Sequence, residues 1–239
     1  MKNNNAKTKD FTFKQFKVTG GYSGMPVSTD SVLLGTWCDL HRATKVLDIG
    51  TGTGLLALIC AQRNPNCTID AIEIDDQACS AAKTNFDNSP WHTRINLLSG
   101  DVLTFPFQSK YDAIICNPPY FDTGETSSKK QRAIARHTLT LNHQALLTKV
   151  LTLVTEEGKA WFVLPEAEGR KFIELALSIG WNLTKLCEVQ STDRKPPHRL
   201  LIQLAQIDTG LESQQLIIQT NNAYTEDFIA LTQDFYLKM

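Results

Sequence analysis

The tetrapeptide Asn117-Pro118-Pro119-Tyr120 follows directly on the apolar run Tyr111 to Cys116. A buried strand that ends in a rigid Asn-Pro-Pro-aromatic loop can hold a planar amino group. The side-chain oxygen of Asn117 and the carbonyl of Pro118 can both accept hydrogen bonds from one NH2. The two prolines fix φ, so both acceptors are set before a substrate arrives, and Tyr120 can stack on a flat ring. An aromatic or amide NH2 is a poor nucleophile because its lone pair is delocalised, and two fixed acceptors help to localise that pair as a bond forms. Taken alone, the tetrapeptide is equally well an Asn-Pro turn, so its chemistry depends on what precedes it.

Upstream, Lys45 to Ile49 reads as a buried strand running into Gly50-Thr51-Gly52-Thr53-Gly54, with a helical pattern from Leu55 to Ala61. Glycines at such a turn permit close backbone approach by a ligand at the positive end of a helix. The spacing is G-x-G-x-G, not the dinucleotide-type G-x-G-x-x-G. A second strand, Thr68 to Ile72, ends in Glu73, roughly 20 residues beyond the turn, where a ribose-binding acid is expected. A third, Arg94 to Leu98, leads to Ser99-Gly100-Asp101. Asp101 could accept from an adenine amino group or cap its own turn. Each strand brings its polar residue to its carboxyl end, the ligand edge of an open parallel sheet.

In this order D-I-G-T-G-T-G, the acid of A-I-E-I-D, G-D-V and N-P-P-Y resemble the class I S-adenosylmethionine-dependent methyltransferases. The N-P-P-Y variant resembles the branch that methylates amino groups on adenine N6, guanine N2 or glutamine N5. Within it the chain is similar, nearly end to end, to the small bacterial enzymes that methylate N6 of adenosine 37 in tRNA1(Val). Further carriers of the likeness are Phe13-Lys14-Gln15-Phe16, Thr29-Asp30 with Leu33-Leu34-Gly35, and Ser89-Pro90-Trp91 with Arg94-Ile95. Ala135-Arg136-His137-Thr138, Tyr224-Thr225 and Asp234-Phe235-Tyr236-Leu237 complete it. A glycine is expected before Thr29, where this chain has Ser28.

The resemblance implies an α/β, Rossmann-like class I methyltransferase: a mostly parallel sheet with helices on both faces and a C-terminal antiparallel hairpin. It assigns S-adenosylmethionine to Gly50, Thr51, Gly52, Gly54 and Asn117, with Glu73 on the ribose hydroxyls. Asp101 takes the cofactor adenine, and Ile74 and Val102 sandwich that ring. Asn117, Pro118, Pro119 and Tyr120 hold the target adenine, splayed from an anticodon loop whose bases are already unpaired. The sulfonium is already electrophilic, so the protein contributes mainly positioning, worth up to ~7–11 kcal/mol. No dedicated general base is required, and His137 reads as a structural or RNA-contacting residue.

The remaining elements follow from pattern. Thr29-Asp30 caps a helix over Ser31 to Leu40 with Val32, Leu33, Thr36 and Trp37 on its apolar face. Asp75 to Asn88 reads as a helix, as do Leu141 to Thr155, Glu166 to Ile179 and Thr225 to Leu237. Strands are expected over Ala160 to Leu164, Leu183 to Val189, Arg199 to Ala205 and Gln215 to Gln219, the middle two forming a hairpin. Residues 121–138 form a polar stretch suited to a substrate loop. The 239 residues suit one domain, with 1–44 as an N-terminal extension contributing to the site and 45–239 as the core.

Net charge is only -1, which argues against indiscriminate polyanion binding, but the cations cluster. Lys2, Lys7, Lys9, Lys14 and Lys17 face one acid, Asp10, in the first 17 residues. Lys129, Lys130, Arg132, Arg136 and His137 follow N-P-P-Y, and Arg194, Lys195, His198 and Arg199 flank Pro196-Pro197. Lys14, Lys17, Lys129, Lys130, Arg132, Arg136, His137, Arg194, Lys195 and Arg199 are therefore the candidate RNA contacts, placed for phosphates around the base presented to Asn117. Six cysteines without C-x-x-C pairing read as reduced thiols, and no metal-ligand spacing is present. Lacking a hydrophobic leader and any apolar run near ~20 residues, the chain reads as a cytoplasmic monomer without membrane contact. Three rivals remain: N5-methylation of a protein glutamine, N2-methylation of an rRNA guanine, and a non-catalytic RNA-binding protein on the same fold.

Overall fold

The computed structural model describes residues 8–22, 27–119 and 143–238. A short hairpin, β1 (Phe11–Thr12) and β2 (Lys17–Val18), precedes α1 (Thr29–Trp37). Alternating elements follow: β3 (Lys45–Ile49), α2 (Leu55–Arg63), β4 (Thr68–Glu73), α3 (Asp76–Asp87), β5 (Ile95–Ser99) and β6 (Tyr111–Cys116). Beyond the undescribed segment come helix α4, described over 143–153, β7 (Val154–Pro165) and α5 (Glu166–Ser178). The chain closes with β8 (Asn182–Thr192), β9 (Arg199–Ala205), β10 (Glu212–Thr220), β11 (Ala223–Tyr224) and α6 (Glu226–Thr232).

The main sheet runs β11-β10-β8-β9-β7-β6-β3-β4-β5. Strands β4 and β6 both pair in parallel with β3, so the winding reverses around β3. There, crossovers to either side leave a crevice at the carboxyl edge. Strand β9 inserts between β7 and β8, antiparallel to both, which is the expected hairpin.

Side chains alternate across the strands, and helices cover both faces, so the central strands are apolar nearly throughout. Val46, Ile69, Ala113, Ile115 and Trp161 pack with α2, α3 and the N-terminal Phe13 and Phe16. Leu47, Ile49, Ile114, Cys116 and Phe162 pack with Leu147 and Val150 of α4 and Phe172 of α5.

Several boundaries differ from expectation. Ser28 caps α1, its Oγ accepting from Ser31 N at 3.2 Å, so the helix starts at Thr29 and Thr29-Asp30 is its first turn, not its cap. Helix α4 stops at 153 because Val154 already pairs with Tyr111, and a register shift follows before Lys159 pairs with Ala113. Strand β10 starts at Glu212, three residues early, since pairing with β8 imposes extension on exposed polar residues that carry no apolar alternation. Asn221 and Asn222, at φ 52° and 62°, turn β10 into β11, the two-residue loop with two left-handed positions that asparagine tolerates. Helix α6 begins after its cap Thr225 and ends at Thr232, not Leu237.

Candidate active site

The glycine turn between β3 and α2 sits under the carboxyl ends of β3 and β4. Gly50, Gly52 and Gly54 all have left-handed φ, 67°, 57° and 86°. Gly50 N and Thr51 N donate to Ile72 O at 2.9 and 3.1 Å, and Gly52 N donates to Glu73 Oε2 at 2.9 Å. From below, Asp48 Oδ2 accepts from Thr51 Oγ1 at 2.6 Å and from Ala57 N, in the first turn of α2, at 3.0 Å. Burial pushes the Asp48 carboxyl up to about 7; its two hydrogen bonds oppose the shift and the nearby Glu73 charge adds to it.

Glu73 is held from three sides, because Oε1 also accepts from Ile74 N and Asp75 N at 2.9 and 3.0 Å. Asp101 spends Oδ1 on its own turn, accepting from Leu103 N at 2.9 Å. Of its two sequence readings, the turn cap is thus realised through one oxygen, with Asp101 still on the cavity wall.

Asn117 leaves the end of β6. Its Nδ2 donates to Ser31 Oγ at 3.1 Å, and Ser31 Oγ also meets Ser28 Oγ at 3.1 Å. The Oδ1 of Asn117 is buried with no hydrogen-bond partner among the described residues. A buried acceptor left unmatched costs about 1–3 kcal/mol, so this oxygen is a prepared site for a donor.

These groups surround one cavity of about 320 Å³, walled by Gly50, Glu73, Ile74, Asp101, Val102, Asn117, Pro118 and Pro119. Its size falls in the range of small-molecule sites. Ile74 is 67% exposed beside Glu73, an apolar ledge that the core does not use. A Cβ on Gly50 would meet nothing within 4 Å, so the missing side chain leaves open space at the mouth of the turn. Acid, apolar ledge and bare backbone fit a nucleoside-bearing cofactor.

The methyltransferase small domain family matches residues 14–170. A protein of Vibrio parahaemolyticus named tRNA1(Val) (adenine(37)-N6)-methyltransferase is 52% identical over 239 residues, the whole of both chains. Its namesake in Aliivibrio fischeri strain ES114 is 49% identical across 97% of this chain and 99% of its own. The chain belongs to the tRNA1(Val) (adenine(37)-N6)-methyltransferase family. Solved structures share the fold at lower identity. TrmN from Thermus thermophilus has TM-score 0.57 and 21% identity over 74% of this chain and 48% of its own. A predicted O-methyltransferase of Agrobacterium tumefaciens reaches TM-score 0.69 at 16% identity over 86% and 96%.

Thr51, Gly52 and Gly54, expected to hold the cofactor, do not line the methyltransferase's cavity; they form the turn behind Gly50. The Thr51 hydroxyl is committed to Asp48, and a Cβ on Gly54 would lie 2.4 Å from Phe86 Cε1. Among the cations, Lys14 and Lys17 are exposed, but Lys17 pairs with Asp10 at 2.8 Å and Lys14 Nζ donates to Gln233 O at 2.5 Å. Arg199 Nε pairs with Asp30 Oδ2 at 2.7 Å, tying β9 to α1. Arg194 and Lys195 stay exposed in the β8–β9 turn. Tyr120, Lys129, Lys130, Arg132, Arg136 and His137 lie outside the described residues.

Three contributors were not anticipated. His143, the first described residue of α4, lines the cavity and hydrogen-bonds the backbone of Pro119. Proline has no N–H, so the imidazole donates to the Pro119 carbonyl and steadies the two-proline turn. Its Nε2 is buried without a partner among the described residues, and Phe172 packs edge-on at 5.2 Å. Burial lowers its pKa, against the Pro119 hydrogen bond and the charge of Glu168. Ser31 orients the Asn117 amide, and Asn85 of α3 links the N-terminal segment to the glycine turn, its Nδ2 donating to Thr19 O and Thr53 O at 3.0 and 2.8 Å. Each acts across long sequence separations, and only the place of His143 within the helix expected over Leu141 to Thr155 was visible locally.

Proposed function

We propose that this enzyme transfers the methyl group of S-adenosylmethionine to the N6 amino group of adenosine 37 in tRNA1(Val), the activity that names its relatives. The unmatched, buried Oδ1 of Asn117 beside the Pro118-Pro119 turn carries the reading. An exocyclic NH2 supplies the donor this oxygen lacks, and a second N–H can reach the Pro118 carbonyl. Two acceptors on one amino group favour localising its lone pair on nitrogen, out of conjugation with the ring. Gly50, Glu73, Ile74, Asp101 and Val102 hold the cofactor, which supplies an electrophilic methyl on a sulfonium. The proton leaves after the nitrogen has become cationic, so no side chain must act as base. Stacking by Tyr120 and phosphate contacts by Lys129, Lys130, Arg132, Arg136, His137, Arg194 and Lys195 belong to this reading on sequence grounds.

Methyl transfer from labelled S-adenosylmethionine to unmodified tRNA, followed by nucleoside analysis, tests it. The expected product is N6-methyladenosine in one tRNA species; label in N2-methylguanosine or in protein overturns the substrate. Asn117→Ala is expected to slow transfer by roughly 10²–10³, the usual effect of deleting one preorganised hydrogen-bonding group. Cofactor affinity should change little. Equal loss of both would show that Asn117 serves the cofactor instead.

A further inference from the structure

A second concavity, about 740 Å³, opens between the β1–β2 hairpin, the ends of β8 and β10, and the C-terminal segment. We infer that this groove is a stacking site for unpaired nucleotides of the RNA substrate lying beside the target base; the inference rests on the RNA reading above.

The topology places the groove on the reactive edge. Strands β6, β7, β8 and β10 all point the same way. Ser191 and Gln219, which line the groove at the ends of β8 and β10, therefore share an edge with Asn117. The first turn of α1 joins the two sites: Thr29 lines the groove, and Ser31 holds the Asn117 amide. Register sets Asn117 level with Cys187 of β8 and Gln214 of β10, short of Ser191 and Gln219 along the strands. With β8 and β10 three and four strand spacings from β6, the separation is about 20–25 Å, or roughly six to seven stacked nucleotides.

The walls suit bases. Tyr224 is 46% exposed and stacks on buried Phe228, ring centroids 5.0 Å apart at 28°. On the other wall Phe11 is 36% exposed and contacts Phe13 at 4.7 Å and, edge-on, Tyr236 at 6.0 Å. Each exposed ring is braced by another aromatic, which lowers the entropy lost when a base stacks on it. Cations border the rings. Lys238 lines the groove, Lys17 neutralises its Asp10, and exposed Arg194 and Lys195 follow Ser191 in the adjoining turn. Aromatic platforms flanked by cations are the recurring means of holding single-stranded nucleic acid without base readout. Strands β10 and β11 and helix α6 lie beyond residues 14–170, the part matched by the methyltransferase domain, and beyond the β8–β9 hairpin that completes its sheet. Methyl-transfer chemistry alone does not account for these elements.

The test is equilibrium binding of unmodified tRNA by fluorescence anisotropy to the full-length enzyme and to Tyr224→Ala, Tyr224→Phe and Phe11→Ala, with melting temperature and cofactor affinity measured alongside. Loss of one stacking platform is expected to raise the tRNA Kd roughly 5- to 100-fold. The KM for tRNA should rise with it, while kcat at saturating tRNA and cofactor affinity stay at the wild-type level. Tyr224→Phe, which keeps the ring, should bind like wild type. Wild-type affinity in both alanine variants overturns the groove alone. Failure of the wild-type enzyme to bind tRNA overturns the RNA reading and the groove together.

Discussion

Asp48→Asn should remove most of a pH dependence that the wild-type fold carries. Asp48 is fully buried beneath the glycine turn, with Oδ2 engaged twice and Oδ1 unmatched among the described residues. Folding raises its pKa from 3.8 to about 7. Because the folded-state value is the higher one, the folded protein keeps a proton that the unfolded chain releases. The resulting stabilisation is complete below pH 3.8 and disappears as pH rises through about 7. Over the whole window this amounts to about 4 kcal/mol, and between pH 5 and 7.5 to about 2.5 kcal/mol. Asparagine cannot ionise, yet its amide oxygen can still accept from Thr51 and Ala57. Its NH2 has no waiting acceptor, which adds a pH-independent cost of about 1–3 kcal/mol. The observable is therefore the difference in slope, not which protein is more stable at one pH. For a chain of this size, the wild-type melting temperature should fall relative to the variant by about 5–10 °C from pH 5 to 7.5. Scanning calorimetry at half-unit intervals measures it. Parallel curves would mean that Asp48 is already ionised in the fold and that burial does not control it.

The glycine turn offers a matched pair of substitutions. Gly50→Ala incurs only the left-handed backbone cost, about 1–2 kcal/mol, but places a methyl on the cavity wall, so titration calorimetry should show weaker cofactor binding. Gly54→Ala adds the collision with Phe86 and should be destabilised by a further ~1–3 kcal/mol; equal melting temperatures for the two would show that Phe86 moves aside freely. For His143, burial favours the neutral imidazole, so its contribution is present above pH 6.5 and is lost as pH falls through its lowered folded-state value. His143→Phe should lower kcat about 5- to 10-fold by removing one hydrogen bond to the Pro119 carbonyl. His143→Asn, which keeps a donor near the Nδ1 position, should retain most activity and lose the drop in stability that the wild type shows on the acid side. An unchanged acid-side drop in melting temperature in that variant would detach it from His143.

The chemistry-bearing motifs were legible because each is a local pattern: an apolar strand, then glycines, an acid or Asn-Pro-Pro at its carboxyl end. Parallel pairing gathers such ends on one edge whatever the exact boundaries. Gly50, Glu73, Ile74, Asp101, Val102 and Asn117 accordingly meet in one cavity, and the inserted β9 follows from two strand runs joined by a short turn. Short or polar elements were harder to place. The exposed start of β10 has no alternation to betray it, and only the hydrogen bonds offered by β8 make it a strand. The fates of individual polar side chains were hidden altogether. Arg199 reads as a phosphate contact until Asp30, 169 residues away in sequence, is found beside it. Ser31 reads as an ordinary helix residue until Asn117, 86 positions on, hydrogen-bonds to it. Local sequence specifies strand, turn and reactive group through backbone preference and periodicity. Partner, burial and pKa depend on contacts between distant segments, which exist only once the sheet has assembled.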